Sequence, residues 1–381
     1  MVDFEHIRPL WRELEAAGAD YVLATIVAVE GSSYRRPGAR MLLAPDGRRA
    51  GTVSGGCLEA AVAKKAWWLT ADGPVVEGYS TLDDDGDLPY GSGCGGIVYI
   101  LLERRATARA LLHSLHAAFT ARTALAVATV LEGPRMGERA FASAWTLDHV
   151  VAMVDEDRAQ GELALLAAHA LEERRQKDAT VDVYGIATRA WVDYCPARPG
   201  LWIFGAGDDA LPLLNFAREL GWFVSIVDGR SHLATRARFA MADEVHAVEI
   251  SGFPDAVPSL IDIHTTDAAV LITHSFEQDS RFLAWLLGRN RPVAYIGVLG
   301  PQRRTREALV EAARMLSHTT SAKLIDEWLD DLHAPTGLDL GADTPASIAL
   351  SIISEVQKVL HAATALPLRT VRASTHAAAH A

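Results

Sequence analysis

The sequence predicts an α/β protein in two successive parts. An N-terminal mixed-sheet α/β domain over 1–196, internally duplicated, precedes a C-terminal Rossmann-like domain with a parallel sheet over 199–361. Three observations carry this. Residues 1–196 run twice through strands, helix and strands. From 201 onward short apolar strands alternate with helices, the pattern of a parallel sheet covered on both faces. Between the two, Cys195-Pro196-Ala197-Arg198-Pro199-Gly200 reads as a proline-punctuated linker.

Composition agrees. A chain of 381 residues, half of them hydrophobic, is too long for one core and rich enough for several. With 36 Lys and Arg against 48 Asp and Glu the net charge is −12, so no cationic excess exists to neutralise a nucleic-acid backbone. The start Met1-Val2-Asp3-Phe4-Glu5 has no basic, signal-like character, and no uncharged run reaches membrane-spanning length. A cytoplasmic protein without a membrane span is expected. Three cysteines, Cys57, Cys94 and Cys195, cannot complete a disulfide framework, so free thiols are expected.

In order, residues 3–18 read as a helix with Ile7, Leu10, Trp11 and Leu14 at helical spacing. A β-branched strand (21–29) leads through the loop Glu30 to Ala39 into a strand at 40–43, a Pro45-Asp46-Gly47 turn and a strand near 50–53. A helix carrying Cys57 in its first turn runs to about Leu69, followed by strands at 74–80 and 97–103 around the acidic loop 83–87. The fainter second pass (121–196, against 1–105 for the first) has a strand at 124–130, a hairpin at Leu147-Asp148, a strand at 149–154, a helix at 161–175 and strands at 180–184 and 190–194. If both passes build one sheet, the scaffold needs only what they share, which frees the motifs confined to the first for chemistry. The C-terminal part reads as strands at 201–204, 223–227, 244–248, 268–273 and 292–296, with helices at 209–220, 277–287 and 301–316. Thr344-Pro345 caps a last helix to about Leu360, and 362–381 has the composition of a disordered tail.

Two glycine-flanked cysteines are the main chemical signal. Ser54-Gly55-Gly56-Cys57 turns from strand into helix, a geometry that aims backbone N–H groups and a helix dipole at one point, favouring an anion or a thiolate. Gly93-Cys94-Gly95-Gly96 places a second sulfur among bare backbone. A buried apolar role remains open for both, as free cysteines commonly adopt it; Cys195, beside a proline, reads as inert. Arg35, Arg36 and Arg40 surround Pro37-Gly38, either as a phosphate or carboxylate clamp or as an ordinary solvated loop. Glu59 reads as a first-turn helix charge. In the second part Gly205-Ala206-Gly207-Asp208-Asp209-Ala210, with Asp228 21 residues beyond Gly207, is a dinucleotide fingerprint that places Asp228 on a ribose. Asp208 and Asp209 oppose it by setting carboxylates where a pyrophosphate would sit, or they cap the helix. His274, at a strand end, is a ligand-site candidate, and Arg303, Arg304 and Arg306 read as a solvated face.

Taken together, Glu30-Gly31-Ser32-Ser33, Pro37-Gly38-Ala39, Ser54-Gly55-Gly56-Cys57-Leu58-Glu59 and Gly93-Cys94-Gly95-Gly96 resemble the N-terminal region of the XdhC/CoxI family. The stretch from Ile203 to Gly207, with Val227-Asp228, Thr273-His274, Gly297 to Gly300 and Thr344-Pro345, resembles that family's Rossmann region. The resemblance implies a maturation factor for xanthine dehydrogenase and related molybdenum hydroxylases. Such a factor is a non-catalytic, homodimeric chaperone that binds the molybdenum cofactor, helps a cysteine desulfurase sulfurate it and delivers it to the apo-enzyme. It places Cys57 and Cys94 at the cofactor and its metal, with Gly55, Gly56, Gly95, Ser33 and Arg36 around them, and Gly205, Gly207, Asp228 and His274 at the Rossmann site. Asp208 stands where many members have histidine. An NAD(P)-dependent oxidoreductase and a dimeric scaffold without cofactor are the alternatives.

Overall fold

The computed structural model describes residues 2–80, 96–143, 158–255, 257, 259 and 261–375, and divides into two compact units, Met1–Arg198 and Pro199–Ala381. The expected acidic loop, the hairpin at Leu147-Asp148 and the strand at 149–154 lie outside the described residues, as do Cys94 and Gly95.

The first unit opens with α1 (Val2–Ala16), whose Ile7, Trp11 and Leu14 are buried on one stripe. There follow β1 (Val22–Glu30), β2 (Arg40–Leu43), β3 (Arg49–Gly51), α2 (Glu59–Leu69), β4 (Val75–Ser80) and β5 (Ile97–Arg104). They form an antiparallel sheet in the order β3-β2-β1-β5-β4. Next come α3 (Arg105–Ala121), β6 (Leu125–Val130), β7 (Arg139–Ser143), α4 (Arg158–Glu173), β8 (Lys177–Val183) and β9 (Ile186–Cys195), whose strands make a second antiparallel sheet, β7-β6-β9-β8. The two passes thus build two sheets rather than one, with the same topology: β1, β2, β4 and β5 match β6, β7, β8 and β9. The sequence reading missed α3, although Leu111, Leu112, Leu115 and Phe119 bury one face of it; it precedes β6 as α1 precedes β1.

The correspondence reaches single residues. Thr25 faces Arg40 and Leu101 across its sheet, as Thr129 faces Arg139 and Trp191 across the other. Arg40 on β2 pairs with Asp193 on β9, and Arg139 on β7 pairs with Glu103 on β5. Each sheet therefore gives the other one buried arginine and takes one back on a buried carboxylate, a reciprocal exchange suited to a duplicated chain. Apolar packing supports it, with α1 and α3 against Leu23, Leu42, Val127 and Cys195. Cys195 is accordingly part of β9 and not of a linker: it pairs with Leu125, and its thiol donates to Asp193 at 3.3 Å. Burial beside that carboxylate pushes the thiol up to about 11.

The second unit carries β10 (Gly200–Phe204), α5 (Ala210–Glu219), β11 (Phe223–Asp228), β12 (Glu244–Ala247), β13 (Ala268–Leu271), α6 (Phe276–Leu287), β14 (Tyr295–Val298), α7 (Gln302–Met315), α8 (Ala322–Asp331), α9 (Pro345–Leu360) and α10 (Leu368–Thr375). The five strands are parallel in the order β12-β11-β10-β13-β14, as their alternation with helices predicts. Trp202, Phe204 and Ala269 face α6 and α7, while Leu201, Ile203 and Val270 face α5 and α9. Thr344 and Ser347 close a capping box at α9, with Pro345 opening the helix. The sequence reading missed α8, and α10 stands where composition predicts disorder.

Candidate functional site

Between Gly51 and Glu59 the chain runs through bends, so Cys57 lies just ahead of α2 rather than inside its first turn. The loop is closed from within. Glu59 turns its buried carboxylate back to accept the N–H groups of Val53 at 3.1 Å and Ser54 at 2.8 Å, together with the Ser54 hydroxyl. Ser54 Oγ accepts the N–H groups of Gly56 and Leu58, each at 3.0 Å. Amides that the sequence assigns to an external anion are therefore held by the chain's own serine and carboxylate. Burial pushes the Glu59 carboxyl up, but these hydrogen bonds outweigh it and hold it below its ordinary value of 4.5. Glu59 is a structural pivot, which the sequence reading took for a simple helix charge. What it leaves outside is Cys57, whose thiol is exposed.

The loop between β1 and β2 borders this rim. Gly55 faces the Tyr34 ring, which a Cβ there would meet at 3.7 Å. Tyr34 belongs to the loop between β1 and β2, where Ser33 donates its hydroxyl to the Arg35 carbonyl at 2.8 Å and Arg36 is exposed. At the start of β5, a side chain on Gly96 would collide with the backbone of Glu30 and Ser32, so only glycine lets the chain pass there. The structure thus joins the Cys57 loop to the Ser33–Arg36 loop through Tyr34, and brings Gly96 close against the backbone of Ser32. Among the described residues, no cluster of three or more His, Cys, Asp or Glu is placed to hold a metal.

In the second unit the strand order reverses between β10 and β13, where doubly wound sheets receive ligands. Gly205 has φ +129° and its absent Cβ would sit 2.7 Å from the Ile272 backbone, so it serves close packing; Gly207 faces open space. Asp228 is fully buried. One of its oxygens accepts the Ala206 N–H at 2.6 Å and an Arg230 guanidinium N–H at 2.7 Å, and the other accepts the Arg230 backbone and Nε at 2.8 and 3.0 Å. Burial raises its carboxyl, but Arg230 prevails and holds it below the usual range. The ribose assigned to Asp228 would have to displace these partners. Neither neighbouring carboxylate caps α5: Asp208 pairs with Arg238, and Asp209 meets His274 Nε2 at 3.0 Å across the crevice. Arg304 does not belong to a solvated face, because it reaches the buried Asp279 at 2.6 Å, which also accepts the Thr273 hydroxyl at 2.6 Å. Burial still leaves the Asp279 carboxyl above its ordinary value.

Comparison with known proteins follows this division. Residues 14–80 match the model of the XdhC and CoxI family, and residues 201–356 match that of the XdhC Rossmann domain. A probable xanthine dehydrogenase subunit of Bacillus subtilis is 30% identical over 344 residues, spanning 88% of this chain and 92% of that protein. The chain belongs to the XdhC and CoxI family. Within this family setting, a crystal structure of a xanthine dehydrogenase from Bacillus halodurans matches with a TM-score of 0.68 at 27% identity, over 95% of this chain and 96% of that one. The molybdenum cofactor insertion chaperone PaoD of Escherichia coli is 34% identical over 109 residues, 26% of this chain and 31% of its own length.

Proposed function

We propose that this XdhC/CoxI member is a maturation factor for a molybdenum hydroxylase, which holds the molybdenum cofactor at the Cys57 rim. The observation that carries the reading is an exposed thiol displayed on a glycine loop that Glu59 fastens from inside. A soft sulfur donor at the surface suits molybdenum, and the reading is supported by the name of the E. coli relative, a molybdenum cofactor insertion chaperone, and by that of the B. subtilis relative, a probable xanthine dehydrogenase subunit. In this proposal Cys57 and Cys94 are the metal ligands, Gly55, Gly56 and Gly95 keep side chains out of the cofactor's way, and Ser33 and Arg36 line its approach. When bound, the cofactor supplies the oxophilic metal; the chain's residues hold it, keep its sulfur chemistry at the surface and present it to the apo-hydroxylase.

Sulfuration with a cysteine desulfurase, a homodimeric cytoplasmic state and the absence of catalysis by the chain itself belong to the same proposal. No helix among the described residues is long and apolar enough to cross a membrane. Nicotinamide binding is not part of it, because Asp228 is committed to Ala206 and Arg230. Protein purified without oxygen from a cofactor-producing host is expected to carry molybdenum and pterin fluorescence in fixed ratio to the chain. Metal-free, pterin-free protein from that host would overturn the reading.

A further inference from the structure

The reciprocal ion pairs of the first unit provide an internal comparison. At one, Arg139 donates to the Gly137 carbonyl at 2.8 Å, Gly137 has φ +86°, and its open side faces Pro74 at 3.2 Å. At the other, Arg40 donates to the Gly38 carbonyl at 3.1 Å, Gly38 has φ +95°, and Gln176, the residue before β8 as Pro74 is the residue before β4, takes the matching place. The ion pair is thus common architecture. What differs is its surroundings: beside Arg40 and Asp193 lies a cleft of about 410 Å³, lined by Tyr34, Arg35 and Arg36 together with Gln176 and Tyr194.

Its charge is unusual for a chain with net −12. The lining carries three guanidinium groups and one carboxylate, and that carboxylate, Asp193, is engaged by Arg40, by Gln176 at 2.8 Å and by the Cys195 thiol. Arg40 is more than nine-tenths buried, and its Nε makes no hydrogen bond. Arg36 stands exposed on the wall. Guanidinium groups gathered in a concave, partly desolvated space attract an oxyanion, and their planar forks suit phosphate oxygens. We infer that this cleft is a binding site for a phosphate monoester, with Arg36 its principal contact and the second, motif-poor pass contributing Gln176 and Tyr194 to its lining.

The inference deepens the molybdenum reading and rests on it through Arg36, which lines the approach there as well; its titration contains no molybdenum, so the two readings fail separately. Calorimetric titration of the full chain with phenyl phosphate, with inorganic phosphate and with phenol distinguishes an organic ester from free phosphate and from aromatic stacking. Phenyl phosphate is expected to bind, to weaken as salt rises, and to lose at least about tenfold in affinity in Arg36→Ala and more in Arg36→Glu. Arg303→Ala, which removes an exposed side chain on α7 of the other unit, is expected to leave the titration unchanged, and circular dichroism checks that each variant folds. Tighter binding of inorganic phosphate than of the ester would assign the site to free phosphate and overturn the ester. No heat of binding, equal binding of phenol, or equal affinity in wild type and Arg36→Glu would overturn the site altogether.

Discussion

Glu59 determines what Cys57 can do. A carboxylate that closes its own loop relieves that loop of any need for an external anion and leaves the sulfur as the group on offer. Replacing Glu59 by Gln removes charge-assisted hydrogen bonds to Val53 and Ser54 and is expected to cost about 2 kcal/mol in urea unfolding; an unchanged midpoint would contradict the pivot. The folded-state pKa is depressed, so the contribution is complete above the ordinary value of 4.5 and is lost as pH falls through the folded value. Glu355, which accepts from Tyr295 and the Gly337 amide at 2.7 Å each, has the same sign: burial raises it, and its hydrogen bonds hold it lower. Stability measured against pH should therefore decline below about pH 4.5 in wild type, and less steeply in Glu59→Gln. None of this was legible at Glu59 in the sequence, because a first-turn glutamate looks the same whether it faces water or its own loop.

At the scale of elements, the sequence was most informative where one physical requirement dominated. Alternating apolar strands and helices announced the parallel sheet, and Thr344-Pro345 announced α9, because a cap and a proline suit few other places. Thr344→Ala removes the side-chain acceptor for Ser347 and should cost about 1 kcal/mol by denaturant titration. Gly205→Ala is expected to cost more, since it adds a Cβ at φ +129° against the Ile272 backbone; a melting temperature equal to wild type would show that the turn can shift. The helix α3 carries no side-chain cap at its start and no glycine or proline at its end, so only the burial of Leu111, Leu112, Leu115 and Phe119 along one face marks it. Asp228 raises a different difficulty: its spacing is that of a ribose-binding acid, but Arg230, two residues on, already holds its carboxylate. Spacing alone does not reveal such a short return.

Over the whole molecule, the two units differ in what they offer. The second presents a crevice whose acids already have partners, whereas the first presents an exposed thiol and a basic cleft on a duplicated frame. That frame depends on contacts far apart in sequence, such as Arg40 with Asp193, which no local pattern announces. Arg40→Met alone leaves the buried Asp193 carboxylate without its countercharge and should cost about 3–5 kcal/mol, whereas the double variant Arg40→Met with Asp193→Leu should recover much of it in a double-mutant cycle. The most direct test of the functional account is the molybdenum content of Cys57→Ser beside wild type, both purified without oxygen from one cofactor-producing host and both shown to be folded. The account predicts at least a tenfold loss of bound metal in the variant; equal molybdenum in the two proteins would contradict it.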